Sequence, residues 1–223
     1  MKHINRQAVI LIGAACVPFA AIAAPTSAEG PSYTYVQGDY IPNGKVDGAD
    51  ADYDGFGLEG SAAIVPHVYV KGRYDRLDVD DSRTDVDRGS LGVGLNDFYD
   101  YGGAEGTGIG YYGQVSYERL QFDDVVGSAD TSATGYGIDA GLRWMVDPAV
   151  EINPNIGYVD YGRNSGDGVD LGKGDGMRYS LRTLGYLTDN LALSAEYAKT
   201  DYDIGSAGLD FGNEVKVGAR YSF

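Results

Sequence analysis

An acidic segment near residue 50 has the residue types and spacing of a calcium-binding loop. Asp50, Asp52 and Asp54 alternate and Gly55 follows, as in the first half of an EF-hand. The twelfth position, where an EF-hand carries a bidentate Glu, is Ser61, and no helical pattern flanks the segment. We therefore expect either a weak Ca²⁺ or Mg²⁺ site at these three aspartates or an acidic loop that precedes a strand. The sequence indicates no other cofactor.

A histidine that acts as a general base needs a nucleophile beside it. The chain has two histidines, and only His67 lies beyond the basic N-terminal residues. The segment Val65-Pro66-His67 has turn composition, and the sequence places no candidate nucleophile next to it. We expect His67 to be a turn residue and the protein to be a non-enzyme, with no catalytic residues.

Charged side chains recur at every second position in segments whose alternate positions are apolar. Around Tyr74, for example, Lys71, Arg73 and Asp75 alternate with apolar residues, which predicts a strand with one polar and one apolar face. The polar rows carry similar numbers of acids and bases, although the rest of the chain is strongly acidic. Because an enclosed charge must be paired, this balance indicates an ionic network inside a lumen. The predicted network comprises Glu59, Lys71, Arg73, Asp75, Arg88, Glu118, Asp139, Arg143, Glu151, Arg178, Arg182, Glu196, Glu214, Lys216 and Arg220.

The elements that position these residues are predicted to be strands throughout. Connections after the first, third, fifth, seventh and ninth strands are mostly long and acidic, and those after the second, sixth and eighth are short. This asymmetry is typical of an antiparallel up-and-down transmembrane β-barrel whose N and C termini are both periplasmic. The pattern favours ten strands, with eight as the alternative. The ten are Ser32–Ile41, Asp54–Ile64, Val68–Val79, Asp87–Asn96, Gly108–Phe122, Thr134–Val146, Val150–Tyr161, Met177–Tyr186, Leu191–Asp201 and Leu209–Phe223.

The last predicted strand resembles the closing strand of bacterial outer-membrane barrels. Its apolar row is Val215, Val217, Ala219, Tyr221 and Phe223. Such a strand is expected to carry the signal that the barrel-assembly machinery recognises.

Tyrosines recur at similar positions along the chain. Tyr74-Asp-Arg-Leu resembles Tyr117-Glu-Arg-Leu, and Tyr158 and Tyr197 follow at intervals of about one hairpin. Equivalent tyrosines on successive rising strands would lie at one height, as an aromatic girdle at a membrane boundary requires. The predicted girdle consists of Tyr74, Tyr117, Tyr158 and Tyr197 together with Trp144 and Phe223.

The first residues have the composition of a secretory signal peptide. Lys2 and Arg6 precede an apolar run, and Ala21-Ile22-Ala23 fits the small-residue cleavage rule. We expect residues 1–23 to be removed after Ala23, which leaves a barrel domain of residues 24–223 in the outer membrane. The whole chain has a net charge of −16, which argues against nucleic acid as a partner.

Several segments of the sequence resemble the sequences of small outer-membrane barrels of proteobacteria that are labelled sulfation-dependent quorum factors. They are Ala28–Tyr40, Asp52–Ser61, Leu91–Gly94 and Ile138–Arg143. The resemblance implies an exported barrel with roles in motility, biofilm, virulence and host sensing, and it places a sulfated tyrosine, by position, at Tyr33.

Together these features predict a barrel that serves envelope structure and surface interaction. A narrow pore for ions or small solutes and a quorum or host-sensed signal are the alternatives. The expected partners are outer-membrane lipid and lipopolysaccharide, with divalent cations bridging Asp80, Asp81, Asp123 and Asp124 to the lipid. The sequence names no host or surface ligand.

Overall fold

In the part of the chain that the structure describes, the regular structure consists of ten antiparallel strands. The structure, a computed structural model, describes residues 30–47, 51–80, 84–102, 106–123, 130–166, 169–204 and 210–223. Within these ranges there is no helix long and apolar enough to cross a membrane. The strands are β1 Tyr35–Asp47, β2 Ala51–Val65, β3 Val68–Val79, β4 Asp85–Asp100, β5 Gly108–Asp123, β6 Thr131–Asp147, β7 Val150–Gly166, β8 Val169–Tyr186, β9 Leu191–Ile204 and β10 Asp210–Ser222.

The strands form one closed barrel. Each strand pairs with its neighbours in the chain, and β1 pairs with β10, where Tyr35 lies opposite Ser222. Closure leaves no sheet edge with unpaired backbone groups, which is what a barrel in lipid requires. The prediction of an all-β antiparallel barrel is confirmed, with ten strands rather than eight. We call the end that carries Tyr35 and Ser222 the terminal end, and the opposite end the loop end.

The predicted bounds of two long acidic connections, those after the first and seventh strands, are wrong because the strands extend further. The sequence analysis ends the first and seventh strands at Ile41 and Tyr161, whereas β1 continues to Asp47 and β7 to Gly166. The following strands, β2 and β8, also begin earlier than expected. In the first of these hairpins, Ile41 and Tyr53 lie in a second, apolar core beyond the polar lumen, and Val46 packs against it.

Pro154 lies within β7, where a proline removes one ladder hydrogen bond. Its pairing with Leu181 on β8 is continuous. On the other side, the pairing of β7 with β6 is interrupted between the pairs Gly141–Asn155 and Trp144–Ile152. The proline therefore falls in a gap of the β6–β7 ladder.

Side chains in the half of the barrel nearer the terminal end have inverted polarity relative to a soluble protein. Their apolar rows face outward, and the polar rows face the lumen. On β6, the outward apolar row runs from Tyr136 to Trp144, a span of nine residues. This matches the 9–11 residues that a strand needs to cross a bilayer.

Towards the loop end the polarity reverses, and an apolar cluster fills the barrel. Outward positions there are polar and exposed, as at Arg76, Asp78 and Lys199. The sequence analysis missed this second core, although the apolar row of β3 changes phase between Tyr74 and Leu77. The cluster comprises Ile41, Tyr53, Leu77, Val86, Leu120, Phe122, Ala133, Val159, Tyr161, Tyr202 and Phe211.

Candidate functional site

The lumen below this apolar cluster is lined by charged side chains from all around the barrel. Period-two alternation points the charged rows inward, and the described ion pairs there form three separate groups. Asp39 on β1 joins them, although it is not among the predicted network residues. With Asp39 included, the described lumen contains eight carboxylates and eight bases.

The largest group is centred on Arg73 and Glu59. Arg73 forms ion pairs with Asp39 at 3.1 Å, Glu59 at 3.1 Å and Asp75 at 2.8 Å. Glu59 also accepts from Arg182 at 3.1 Å. One carboxylate therefore links two guanidinium groups from β3 and β8 across the lumen.

The same group continues towards the closing strand. Arg88 contacts Asp75 at 3.1 Å and Glu214 at 2.7 Å, and Lys216 pairs with Glu214 at 2.6 Å. Arg182 completes the ring by binding Glu196 at 2.5 Å, and Lys216 lies 3.9 Å from Glu196. These pairs bridge β3, β4, β8, β9 and β10, so the network braces the barrel across its interior.

Two tyrosines and Arg220 attach to this group. Tyr35 donates its hydroxyl to Glu59 at 2.7 Å, and Tyr53 donates to Glu214 at 2.9 Å. Arg220 donates to Gln37 at 2.8 Å, and its guanidinium lies 4.0 Å from the centre of the Tyr35 ring. The buried carboxylates of Glu59 and Glu214 thus accept hydrogen bonds from tyrosine hydroxyls in addition to forming ion pairs. Both kinds of interaction offset the cost of removing the carboxylates from water.

The second group consists of Arg178, Glu118 and Asp139. Arg178 contacts Glu118 at 3.0 Å and Asp139 at 2.6 Å. Inward glycines make room for it: a Cβ built on Gly137 would lie 2.6 Å from Glu118 Oε1, and one on Gly157 would collide with Asp139. A side chain at either position would have to displace these charged groups, so the two glycines leave room for the ion pair.

The third group lies at the terminal end and holds the segment that precedes β1. Arg143 binds Glu151 through two donors, at 2.5 and 3.0 Å, and donates to the carbonyl oxygen of Ser32 at 2.6 Å. Its guanidinium also lies 4.7 Å from the centre of the Tyr33 ring. Tyr33, the position proposed for sulfation by resemblance, is thus packed inside the mouth of the barrel.

Lys71 differs from the other lumen bases. Its side chain lines the internal cavity, but among the described residues it makes no ion pair, whereas the other seven bases each have at least one. The structure therefore brings together all the predicted network residues in one lumen and leaves Lys71 without a direct partner among them.

The predicted girdle separates into two aromatic belts on the outer surface. Tyr74, Tyr117, Tyr158 and Tyr197 lie towards the loop end, whereas Trp144 and Phe223 lie at the terminal end. Three of the tyrosines donate a hydrogen bond to a polar residue on the next strand: Tyr74 to Asp87, Tyr158 to Asp175 and Tyr197 to Asn213. An apolar ring with a hydrogen-bonded hydroxyl suits a boundary between hydrocarbon and headgroups.

The predicted metal residues do not form a loop. Asp50 lies outside the described residues, and Asp52 and Asp54 are part of strand β2. Across the described ranges, no group of three or more His, Cys, Asp or Glu side chains could hold a metal ion. His67 lies on the exposed β2–β3 turn, with Nδ1 3.1 Å from the Asn96 carbonyl oxygen.

The apolar row of β10 faces outward. Val215, Val217, Ala219 and Tyr221 are exposed on the barrel surface, and Phe223 follows them. Tyr221 and Phe223 stack edge to face with ring centres 5.1 Å apart. The predicted assembly signal is therefore presented on the outer surface of the closing strand.

A closed ten-stranded barrel with an apolar outer band and a charged lumen is the architecture of an outer-membrane protein. The family model described as outer membrane protein beta-barrel domain matches residues 12–172, more than half of the chain. The chain belongs to this family. The family places the protein in the bacterial outer membrane, as the sequence analysis expects.

Solved structures with a similar fold are distant in sequence. An outer-membrane channel from Pseudomonas putida F1 is 11% identical, with a TM-score of 0.47 over 91% of this chain and 100% of that one. Neisserial surface protein A is 18% identical, with a TM-score of 0.40 over 87% and 100%, and the KdgM porin is 11% identical, with 0.39 over 85% and 99%. No protein of curated function matches the sequence.

Proposed function

We propose that the protein is a closed outer-membrane barrel that stabilises the envelope and presents its loop end to the surroundings, and that it has no catalytic role. The filling of the lumen is the observation that supports this proposal. A band of ion pairs that cross the lumen lies below a cluster of buried aromatic and aliphatic side chains, to which nine of the ten strands contribute among the residues that the structure describes. A through-path for solutes would have to displace both.

Conductance in planar bilayers tests the closed state. Purified protein is inserted into bilayers, with a porin of known conductance as the control for insertion. We expect no unitary currents from this barrel. Steady unitary currents would refute the closed state and favour the second candidate, a narrow pore, which the internal cavity of about 190 Å³ supports.

We propose that the terminal end faces the periplasm and the loop end faces outward. The two-residue turns at Pro66–His67 and Pro148–Ala149 are at the terminal end, where barrels of this class carry short connections. Cysteine labelling in intact cells tests the orientation, because the only native cysteine is Cys16. Asp80→Cys is expected to react with an impermeant reagent and Ala149→Cys only after lysis; the reverse pattern would overturn the assignment.

We propose lipopolysaccharide, bridged by Ca²⁺ or Mg²⁺, as the lipid partner of the outer surface near the loop end. Asp54, Asp78, Asp85 and Asp123 lie in register on four adjacent strands, just beyond the tyrosine belt. Phosphates of the lipid would complete the coordination of a cation that these carboxylates hold only in part. Of the bridging residues expected from the sequence, Asp80 is exposed, and Asp81 and Asp124 lie outside the described residues.

Thermal stability in vesicles that contain lipopolysaccharide tests this bridging. We expect millimolar Mg²⁺ to raise the melting temperature and Asp78→Asn with Asp85→Asn to reduce that rise. Asp97→Asn, an exposed aspartate near the terminal end, is the control. Equal effects of Mg²⁺ on all three proteins would exclude these carboxylates as bridging groups.

The resemblance to quorum-factor barrels supports a finer proposal, namely a role in biofilm, motility, virulence or host contact. A role as a released signal is the less favoured alternative, because Tyr33 contacts Tyr69 in a tilted ring pair with centres 4.9 Å apart and packs against Arg143. A deletion strain tested for biofilm mass and motility examines the first role. Intact protein in culture supernatant, free of vesicles, would favour the signal.

A further inference from the structure

The barrel contains a cavity of about 190 Å³ among its lumen side chains. This space would hold about six water molecules, and so a solute with a similar number of non-hydrogen atoms. Its lining is both apolar and polar, and the polar side chains include Lys71, Tyr112, Gln114, Asn153 and Asn155. Such a cavity can bind a small polar molecule if its groups point to specific complementary ones.

Lys71 supplies one such group, a positive charge with three donors. It is the one base of the described lumen without an ion pair, as noted above. Its register neighbour on β4 is Gly92, which has no side chain to occupy the adjacent space. The ammonium group therefore borders the cavity with its donors uncommitted among the described residues.

Two buried carbonyl oxygens supply groups of the opposite kind. Gln114 Oε1 and Asn153 Oδ1 have no hydrogen-bond donor in the described structure, and the two residues are only 5% and 8% exposed. Both residues line the same cavity as Lys71. The side-chain amide of Gln114 extends over Gly92, the glycine that pairs with Lys71 on β4. A buried carbonyl without a donor costs free energy, so these positions favour a ligand that carries N–H groups.

The charge balance of the lumen limits what can enter. With eight carboxylates and eight bases, the described lumen is already neutral. A ligand with a net charge would leave one charge without compensation in an enclosed space, which is unfavourable. A ligand that is neutral overall but carries a carboxylate and an N–H-bearing cation satisfies Lys71 and the two carbonyl groups together.

We propose that this cavity is a binding site for a small zwitterionic amino acid. Its carboxylate accepts from the Lys71 ammonium, and its own ammonium donates to Gln114 Oε1 and Asn153 Oδ1. A ligand of the size of glycine or alanine fits the volume of about 190 Å³. The site is independent of whether the barrel conducts, because a closed barrel and a narrow pore would both contain it.

Calorimetric titration of the folded, full-length mature barrel in detergent tests the proposal with four probes. Glycine and alanine carry both groups, acetate lacks the ammonium, and glycine betaine has a quaternary nitrogen without N–H donors. We expect saturable one-to-one binding of glycine and alanine, and binding of acetate and betaine weaker by about tenfold or more. Absence of saturable binding of glycine and alanine, or equal binding of betaine, would overturn the proposal.

Variants identify the residues that bind. Lys71→Met removes the charge with little change in length, and Lys199→Met, on the exposed outer surface, is the matched control. We expect at least about tenfold weaker glycine binding for Lys71→Met and no change for the control. Gln114→Leu tests the carbonyl side without altering any charge, should Lys71→Met fail to show a heat-modifiable folded band. Glycine binding that is unchanged in both lumen variants would place the glycine site outside this cavity and overturn the proposal.

Discussion

Replacing Gly137 with valine tests whether the inward glycines leave the space that the ionic network needs. Gly137 faces the lumen on β6, and its missing side chain is replaced by neighbours. A Cβ at this position would lie 2.6 Å from both Glu118 Oε1 and Ser116 Oγ, and 3.1 Å from Arg178 Nη2. Valine would therefore displace the Glu118 carboxylate from Arg178, to which it is bound at 3.0 Å.

The expected loss follows from the cost of separating a buried ion pair. Leaving one partner of such a pair uncompensated costs about 3–5 kcal/mol. Arg178 keeps its bond to Asp139, so the lower value applies, and valine restores about 0.5–1 kcal/mol of strand preference that glycine lacks. We expect Gly137→Val to lower the free energy of unfolding by about 2–2.5 kcal/mol, a roughly 30- to 70-fold change in the unfolding equilibrium.

Gly38→Val is the matched control, because it makes the same change on the outer face. Gly38 is exposed on β1, and a Cβ there would meet nothing within 4 Å. Valine at this position adds apolar surface towards lipid and strand preference, so we expect unchanged or slightly higher stability. The pair of variants therefore separates the general effect of valine in a strand from the effect of a side chain in the space that the ion pair occupies.

Urea unfolding in lipid vesicles measures both variants, with fluorescence of the single tryptophan, Trp144, as the signal. Trp144 is outward at the terminal-end belt, so its emission reports transfer from lipid to water. The reasoning is refuted if Gly137→Val is as stable as the unaltered protein, or if Gly38→Val loses as much free energy of unfolding as Gly137→Val. Gly137→Ala, which adds only the Cβ, provides a milder variant for the same comparison.

Three further predictions concern the other layers of the barrel. Phe122→Ala and Phe211→Ala, which remove stacked rings from the apolar cluster, should each lower the free energy of unfolding by about 3–5 kcal/mol in the same assay; a loss below about 1 kcal/mol would mean that the cluster is not a packed core. Tyr74→Phe removes the hydroxyl bonded to β4 and should cost about 0.5–1.5 kcal/mol, whereas Tyr136→Phe, at the most exposed outward tyrosine, should cost less; equal losses would refute a stabilising belt bond. Arg143→Lys keeps the charge but loses the forked donors, so hydrogen exchange at residues 32–34 should become faster while that of the β3 core stays slow, and unchanged exchange would show that Arg143 does not hold the segment.

The membrane-spanning part of the fold was predictable from the sequence because one rule governs it. In β3, predicted and observed bounds agree at Val68–Val79, and Lys71, Arg73 and Asp75 face the lumen. Alternation was sufficient there because lipid outside and charge inside leave a two-residue period on every strand. The ion-pair partners were not predictable, since pairs such as Arg182 with Glu59 connect strands that are far apart in sequence.

Predictions from alternation failed where the environment of the strand changes along its length. Beyond Tyr74 the outer face meets water instead of lipid, so the apolar residues Leu77 and Val79 turn inward and Arg76 turns outward. A strand keeps its pleat through this boundary, and the apolar row can change face only by a shift of phase in the sequence. The same shift separates Tyr117 from Leu120 on β5.

This phase shift explains why the two tyrosine repeats look alike. In each, a tyrosine faces outward at the belt, the next residue is a lumen acid, the third is an exposed arginine and the fourth is a leucine in the apolar cluster. In Tyr74-Asp-Arg-Leu and in Tyr117-Glu-Arg-Leu, four consecutive residues therefore lie in four different environments. A change of apolar phase immediately after an outward tyrosine marks the depth at which a barrel strand leaves the hydrocarbon. That depth can be read from sequence alone wherever inward apolar residues follow the belt.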